Sequence, residues 1–356
     1  MAIYPPKYDC FKDKESIYLD NRRIDSFADF KHVVDELRNS KEEFIYRGIS
    51  DASYKMYSSA QRYWIDNKGD QLVDKTFIDY DDYLQKLVDR TKVLKVVNAY
   101  LEKNQVHYNE MWLLSLMQHY SAPSVMLDFS HDLISSLFFM CDGAGKPKGD
   151  GCLDDYVSLY YMKANLDWVK ANVQNIMTDA VDKVRHNIIP FYGTDRTMYE
   201  TFLQEVEYLP FSKYRKDQMD FVGLEGPNGG KVDVNIPELG FKTSYEIING
   251  RLKTQAGLFF ANFSETEPFA ELLLKACTPA TVINVNEDGS KTIEEGDPSV
   301  AEKHIYCLNV NKRLLNSIKW YYLYPRFIFK WRVYRNWNRE DRLLDAKMKE
   351  AHFAKK

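Results

Sequence analysis

Leu116-Met-Gln-His-Tyr-Ser-Ala-Pro-Ser-Val-Met-Leu-Asp-Phe-Ser-His131 passes from one periodicity to another. It begins at the end of an apolar helix that the pattern predicts from Asn109 to Gln118. A loop follows through Pro123. Val125 to Phe129 then reads as a short strand, and Asp132 to Cys141 as another helix. Working outward, a helix is expected from Ser26 to Arg38, where Phe27, Phe30, Val33, Val34 and Leu37 share one stripe. A strand follows at Glu43–Ile49, and one long helix over Tyr80–Leu101. Downstream, glycine and proline mark residues 142–151 as a loop. Strands are predicted at 156–162, 257–263, 280–285, 305–310 and 326–334. Helices are predicted at 167–185, 195–205, 269–277 and 312–322, with a charged helix at the C-terminus. This order has no regular βαβ alternation, so the fold class is α+β. The expectation is one principal mixed sheet with flanking helices and a largely helical inserted region. The division expected is a helical lead-in (1–43), a main α+β domain (44–335) with an insertion at about 151–245, and a terminal helix (336–356).

Composition bounds the function. The chain has 356 residues, 45% hydrophobic and 28% charged, which is ordinary for a folded protein. Its net charge of −4 excludes a global field for nucleic acid or membrane. No apolar run reaches the roughly 18 residues of a membrane span. The five cysteines are widely spaced without a C-x-x-C, and read as reduced thiols in a cytoplasmic protein. The net value hides an asymmetry: residues 312–356 hold 13 Lys and Arg against 4 Asp and Glu. That tail is aromatic as well as basic. It reads either as an amphipathic strand with a solvated basic face, or as a docking region for nucleic acid or a protein partner.

Three segments carry polar groups inside apolar surroundings. In Phe44-Ile-Tyr-Arg-Gly48, Arg47 either aims a rigid fork of donors at a phosphate or carboxylate, or ends an edge strand at the surface. Tyr46 and Gly48 flank it, the glycine permitting close backbone approach. In the opening stretch, Gln118, His119 and Tyr120 close a helix while Asp128 and Ser130 end a strand. Ser130 or Asp128 is placed to cap the next helix, whose N-terminus makes a ready anion site. A metal set of His119, Asp128 and His131 fits no familiar spacing, so no metal is expected. Cys141 falls on an apolar helix face and reads as packing, not as a nucleophile paired with His119. The third segment sets Arg251 and Gln255 ahead of the apolar run that starts at Gly257.

Taken in order, Tyr46-Arg-Gly48, Met117-Gln-His-Tyr120 with Pro123 and Leu127-Asp128, and Arg251 with Gln255-Ala-Gly257 and Phe259 resemble the FRG-domain family. That family has an (F/Y)RG motif, a Q-H-Y-G-x-P-T-R-L-L-D-W block running into an apolar helix, and a later R-x-x-x-Q-x-G-x-F segment. The resemblance covers about Phe44 to Phe263. Where the family has G-x-P-T-R, this chain has Ser121-Ala-Pro-Ser-Val125, and the arginine is absent.

A strand ending in Tyr-Arg-Gly also resembles the first motif of the ADP-ribosyltransferases, whose arginine holds the phosphate or ribose of NAD. The same resemblance gives Ser130 the place of their strand-end serine and Glu207, in Gln204-Glu-Val-Glu207, that of the carboxylate facing an oxocarbenium-like centre, with Glu246 as an alternative. Glu205 and Glu207 also read as the plain end of an amphipathic helix. What this implies is a pocket for a nucleotide-like ligand, NAD, with Arg47, Tyr120, Ser130, Glu207 and Gln255 in catalytic places. Tyr120 would offer its face to the nicotinamide, and Tyr46, Gly48, Gln118, His119, Asp128, Arg251 and Gly257 would bind. Such a protein would be an ADP-ribosyltransferase-like toxin or defence effector. The alternative is a ligand-sensing or interaction module without catalysis.

Overall fold

Tyr156-Val-Ser-Leu-Tyr-Tyr-Met162 is buried on both sides, as a strand at the centre of a covered sheet must be. In the computed structural model of the chain, the residues described are 6–68, 79–103, 110–120, 122–164, 257–276, 282–285, 291–294, 303–326 and 339–353. Their strands are β1 (Asp20–Ile24), β2 (Phe44–Ile49), β3 (Met126–Ser130), β4 (Tyr156–Lys163), β5 (Gly257–Ala261), β6 (Val282–Val285), β7 (Lys291–Glu294) and β8 (Tyr306–Asn311). Six form one mixed sheet in the order β1-β8-β4-β2-β3-β5; β6 and β7 make a separate antiparallel pair. Only β1 and β8 run parallel within that sheet.

The helices are α1 (Phe11–Glu15), α2 (Phe27–Asn39), α3 (Ser59–Lys68), α4 (Tyr80–Lys92), α5 (Lys95–Lys103), α6 (Glu110–His119), α7 (Leu133–Cys141), α8 (Phe269–Ala276), α9 (Leu315–Ile318) and α10 (Arg339–Phe353). The expected α+β class holds. One face of the sheet packs on α2, α7 and α9 through Phe30, Val34, Leu137, Met140 and Ile318. The other carries Tyr8, Tyr18, Phe129, Tyr160 and Phe269. A third apolar cluster joins α3–α6 and α10 to the β3–β5 end, with Leu344 and Met348 of α10 fully buried.

Several expectations change. The single helix over Tyr80–Leu101 is two, because Thr91 Oγ1 bonds the carbonyl of Leu87 at 2.9 Å and Leu94 N–H turns back to Thr91. Asp20–Ile24, inside the supposed helical lead-in, forms the sheet's edge strand on β8. Tyr156–Lys163, inside the expected insertion, is a central strand. The helix expected at 312–322 is a 3₁₀ turn, α9, a π turn over Lys319–Leu323 and another 3₁₀ turn; the π turn leaves Trp320 71% exposed while burying Tyr322. The predicted helices at 167–185 and 195–205, and nearly all of the strand at 326–334, lie outside the described residues. Among the described residues no helix is long and apolar enough to cross a membrane.

Candidate ligand site around Arg47

The alternation of β2 sends Tyr46 toward α7 and Arg47 to the opposite face, beside its register partner Tyr160 on β4. Gly48 is what seats the strand. A Cβ there would lie 2.1 Å from the Ser136 carbonyl and 2.4 Å from Met140 N, so no other residue lets α7 approach this closely. The Arg47 guanidinium lies 5.8 Å from the Phe129 ring centroid and donates through Nη1 to the Asp128 carbonyl. Its Nε is sealed from solvent and donates to nothing among the described residues. Burial lowers its pKa by more than the Asp128 carboxylate restores, and the Arg62 charge on α3 pushes it the same way as burial.

Asp128 is the only exposed residue of β3. Gln118 Nε2 donates to its carboxylate at 2.9 Å, and Gln118 Oε1 accepts from Ser59 Oγ at 3.3 Å. Ser59 also donates to the Ser124 carbonyl at 3.1 Å and accepts from Ser124 N at 2.9 Å, tying the start of α3 to the loop before β3. Arg62 is exposed, its side chain makes no hydrogen bond or ion pair among the described residues, and the charges of Asp66 and Asp128 act on it against burial. The cluster is thus two guanidiniums around one carboxylate, with a fixed amide behind it.

Other expected residues fall elsewhere. Ser130 pairs with Tyr46 and with Gly257 in the sheet, and its Oγ accepts from Asp132 N at 2.9 Å. Asp132 caps α7, not Ser130 or Asp128: its carboxylate accepts from Ile134 N and Ser135 N. The anion site expected at that helix start is therefore filled by the protein's own carboxylate. His119 packs its ring on Phe259, 5.3 Å between centroids, and Phe259 is the register partner of Asp128. Tyr120 is fully buried, donates to Asp341 of α10 at 2.5 Å, and has its pKa pushed up by burial and that bond. Its ring is enclosed in the core and offers no face to a ligand.

Val125, at the position of the family's arginine, is fully buried and apolar. Cys141 is buried too, its thiol pushed up to about 12 by burial. No group of three His, Cys, Asp or Glu side chains suited to a metal occurs among the described residues. Glu207, Glu246, Arg251 and Gln255 lie outside them.

Residues 42–149 match the FRG domain family. The chain contains an FRG domain. No curated protein and no solved structure matches the chain. The matched tract of the FRG domain supplies β2, α3–α7 and β3; the sheet is completed by strands from both sides of it in sequence.

Sequence reasoning missed Arg62 and Ser59, because it placed no helix at Ser59–Lys68. A signal was present. Ser58 and Gln61 form a reciprocal capping box, Ser58 N to Gln61 Oε1 at 2.9 Å and Gln61 N to Ser58 Oγ at 3.1 Å.

Proposed function

We propose that the Arg47 site of the FRG domain binds a phosphate-bearing nucleotide, with NAD the ligand that fits the chemistry best. In this reading the protein consumes NAD in the manner of an ADP-ribosyltransferase-like toxin or defence effector. The observation that carries it is Arg47 itself, with a sealed Nε that lacks an acceptor and a second guanidinium acting against its charge. A buried donor left unmade costs about 1–3 kcal/mol. An oxyanion between Arg47 and Arg62 takes the remaining Nη donors of Arg47, relieves the repulsion, and suits the planar fork. Asp128, exposed and held by Gln118, can accept from ribose hydroxyls. Arg62 takes the part of the arginine that Val125 replaces. The carboxylate for the reacting carbon is Glu207, with Glu246 as the other candidate.

The test is NAD turnover together with an ADP-ribose titration of wild type, Arg47→Lys and Arg47→Gln. Binding should weaken at least tenfold in both variants, with turnover lost. Equal binding by Arg47→Gln would exclude the site. A ligand sensor without turnover is the second reading, favoured by the apolar Val125; binding in wild type without loss of NAD selects it.

A further inference from the structure

At the β1 edge of the sheet, where β1 and β8 end and β4 begins, a cavity of about 370 Å³ opens between Arg23 and Arg313. Arg23 is held firmly. Its guanidinium lies 4.6 Å from the Phe11 ring centroid and 5.2 Å from that of Tyr156, and it donates to Tyr156 Oη at 2.7 Å. Arg313, in the 3₁₀ turn after β8, is exposed, and its guanidinium makes no hydrogen bond or ion pair among the described residues. The loop before β4 passes close beside it: a Cβ on Gly149 would lie 3.4 Å from its Nη2.

Most of the acceptors lining this cavity are already occupied. Asp155 accepts backbone N–H groups from Lys148, Gly149 and Gly151. Asp25 Oδ1 accepts from Tyr156 Oη at 2.6 Å and Asn311 Nδ2 at 2.9 Å, and its Oδ2 is 4.0 Å from Arg23. What remains are donors: the whole fork of Arg313 and the unused N–H groups of Arg23. Two guanidiniums with spare donors, around a space large enough for a small molecule, are the composition that recognises an oxyanion.

We infer that this cavity is a second anion site, separate from Arg47, which takes a small phosphate monoester between Arg23 and Arg313. Arg23 and Arg47 lie three strand spacings apart, roughly 14 Å. Lys14 and its partners on β4 and β8 occupy the ground between them. The phosphate oxygens seat on the two guanidiniums.

Calorimetric titration with ribose 5-phosphate, and with inorganic phosphate for comparison, tests the site in the full chain. The variants are Arg313→Gln, Asp25→Asn and Arg47→Gln. Arg313 has no side-chain bond to lose among the described residues, so its variant should unfold at the wild-type midpoint. Ribose 5-phosphate binding should weaken at least tenfold in Arg313→Gln, tighten severalfold in Asp25→Asn, and fall with added salt in wild type. Arg47→Gln should leave it unchanged, which keeps this outcome independent of the nucleotide reading. Loss in Arg47→Gln with none in Arg313→Gln assigns the binding to the first site and overturns the second. No binding by wild type overturns it as well, and inorganic phosphate binding as tightly as the ester overturns the assignment of a monoester.

Discussion

Lys14 and Arg47 stand on the same face of the sheet, on either side of Tyr160, and the protein satisfies one of them and not the other. Lys14 is fully buried, yet its ammonium donates to three acceptors: the Ala52 carbonyl at 3.1 Å, Ser158 Oγ at 3.0 Å and Asn309 Oδ1 at 2.7 Å. The rings of Tyr8, Tyr18 and Tyr160 surround it at 5.1–5.7 Å. An ammonium has three N–H groups, so nothing is left over. Arg47 has five, makes one bond among the described residues, and keeps a sealed Nε without an acceptor there. A buried cation whose donors are all used holds a fold together. One whose donors are left open, beside a second cation, is where the proposed reading places the ligand.

The contrast breaks most readily at Lys14. Lys14→Met removes the donor from three buried acceptors, and should cost about 4 kcal/mol in urea unfolding, while the folded fraction still binds ADP-ribose. A cost under about 1 kcal/mol would place Lys14 outside the framework. Gly48→Ala forces a Cβ against the α7 backbone and should cost about 3 kcal/mol in the same assay, lifting the strand that carries Arg47.

A third buried base separates framework from site by pH. His352 of α10 bonds Thr91 Oγ1 at 2.8 Å, and burial first, then Arg90, lower its pKa to about 4. Below pH 6.5 the unfolded chain takes up this proton and the folded chain does not. Stability should therefore fall by about 2 kcal/mol between pH 7 and pH 5, and His352→Gln should remove that part of the slope. Gln118→Ala has the smallest effect on folding, within about 1 kcal/mol. It removes the amide that holds the Asp128 carboxylate, and should weaken ADP-ribose binding severalfold by calorimetry.

Local patterns made much of this legible. Tyr46-Arg-Gly48, the strand at Met126–Ser130 and the helix Leu133–Cys141 follow from alternation, stripe and turn residues. Asp20-Asn-Arg-Arg-Ile24 has no such signature; its partner β8 lies nearly the full chain away, and pairing at that separation leaves no local trace. Lys14 reads as a surface lysine until Ala52, Ser158 and Asn309 are brought around it. The cap of α7 was misassigned because Asp128, Ser130 and Asp132 are all good caps, and only the turn selects Asp132. Arg62 stayed hidden with α3, whose apolar positions make no clean stripe.

The most direct measurement is the unfolding midpoint of wild type and Arg47→Gln, each with and without saturating ADP-ribose. Ligand at a hundred times its dissociation constant adds about 2.7 kcal/mol to the state that binds it. The prediction is that the ligand-free proteins unfold within about 1 kcal/mol of each other and that only wild type is stabilised by ligand. If Arg47→Gln loses stability as Lys14→Met does, or is stabilised by ligand as wild type is, then Arg47 belongs to the framework and the distinction between the two cations is wrong.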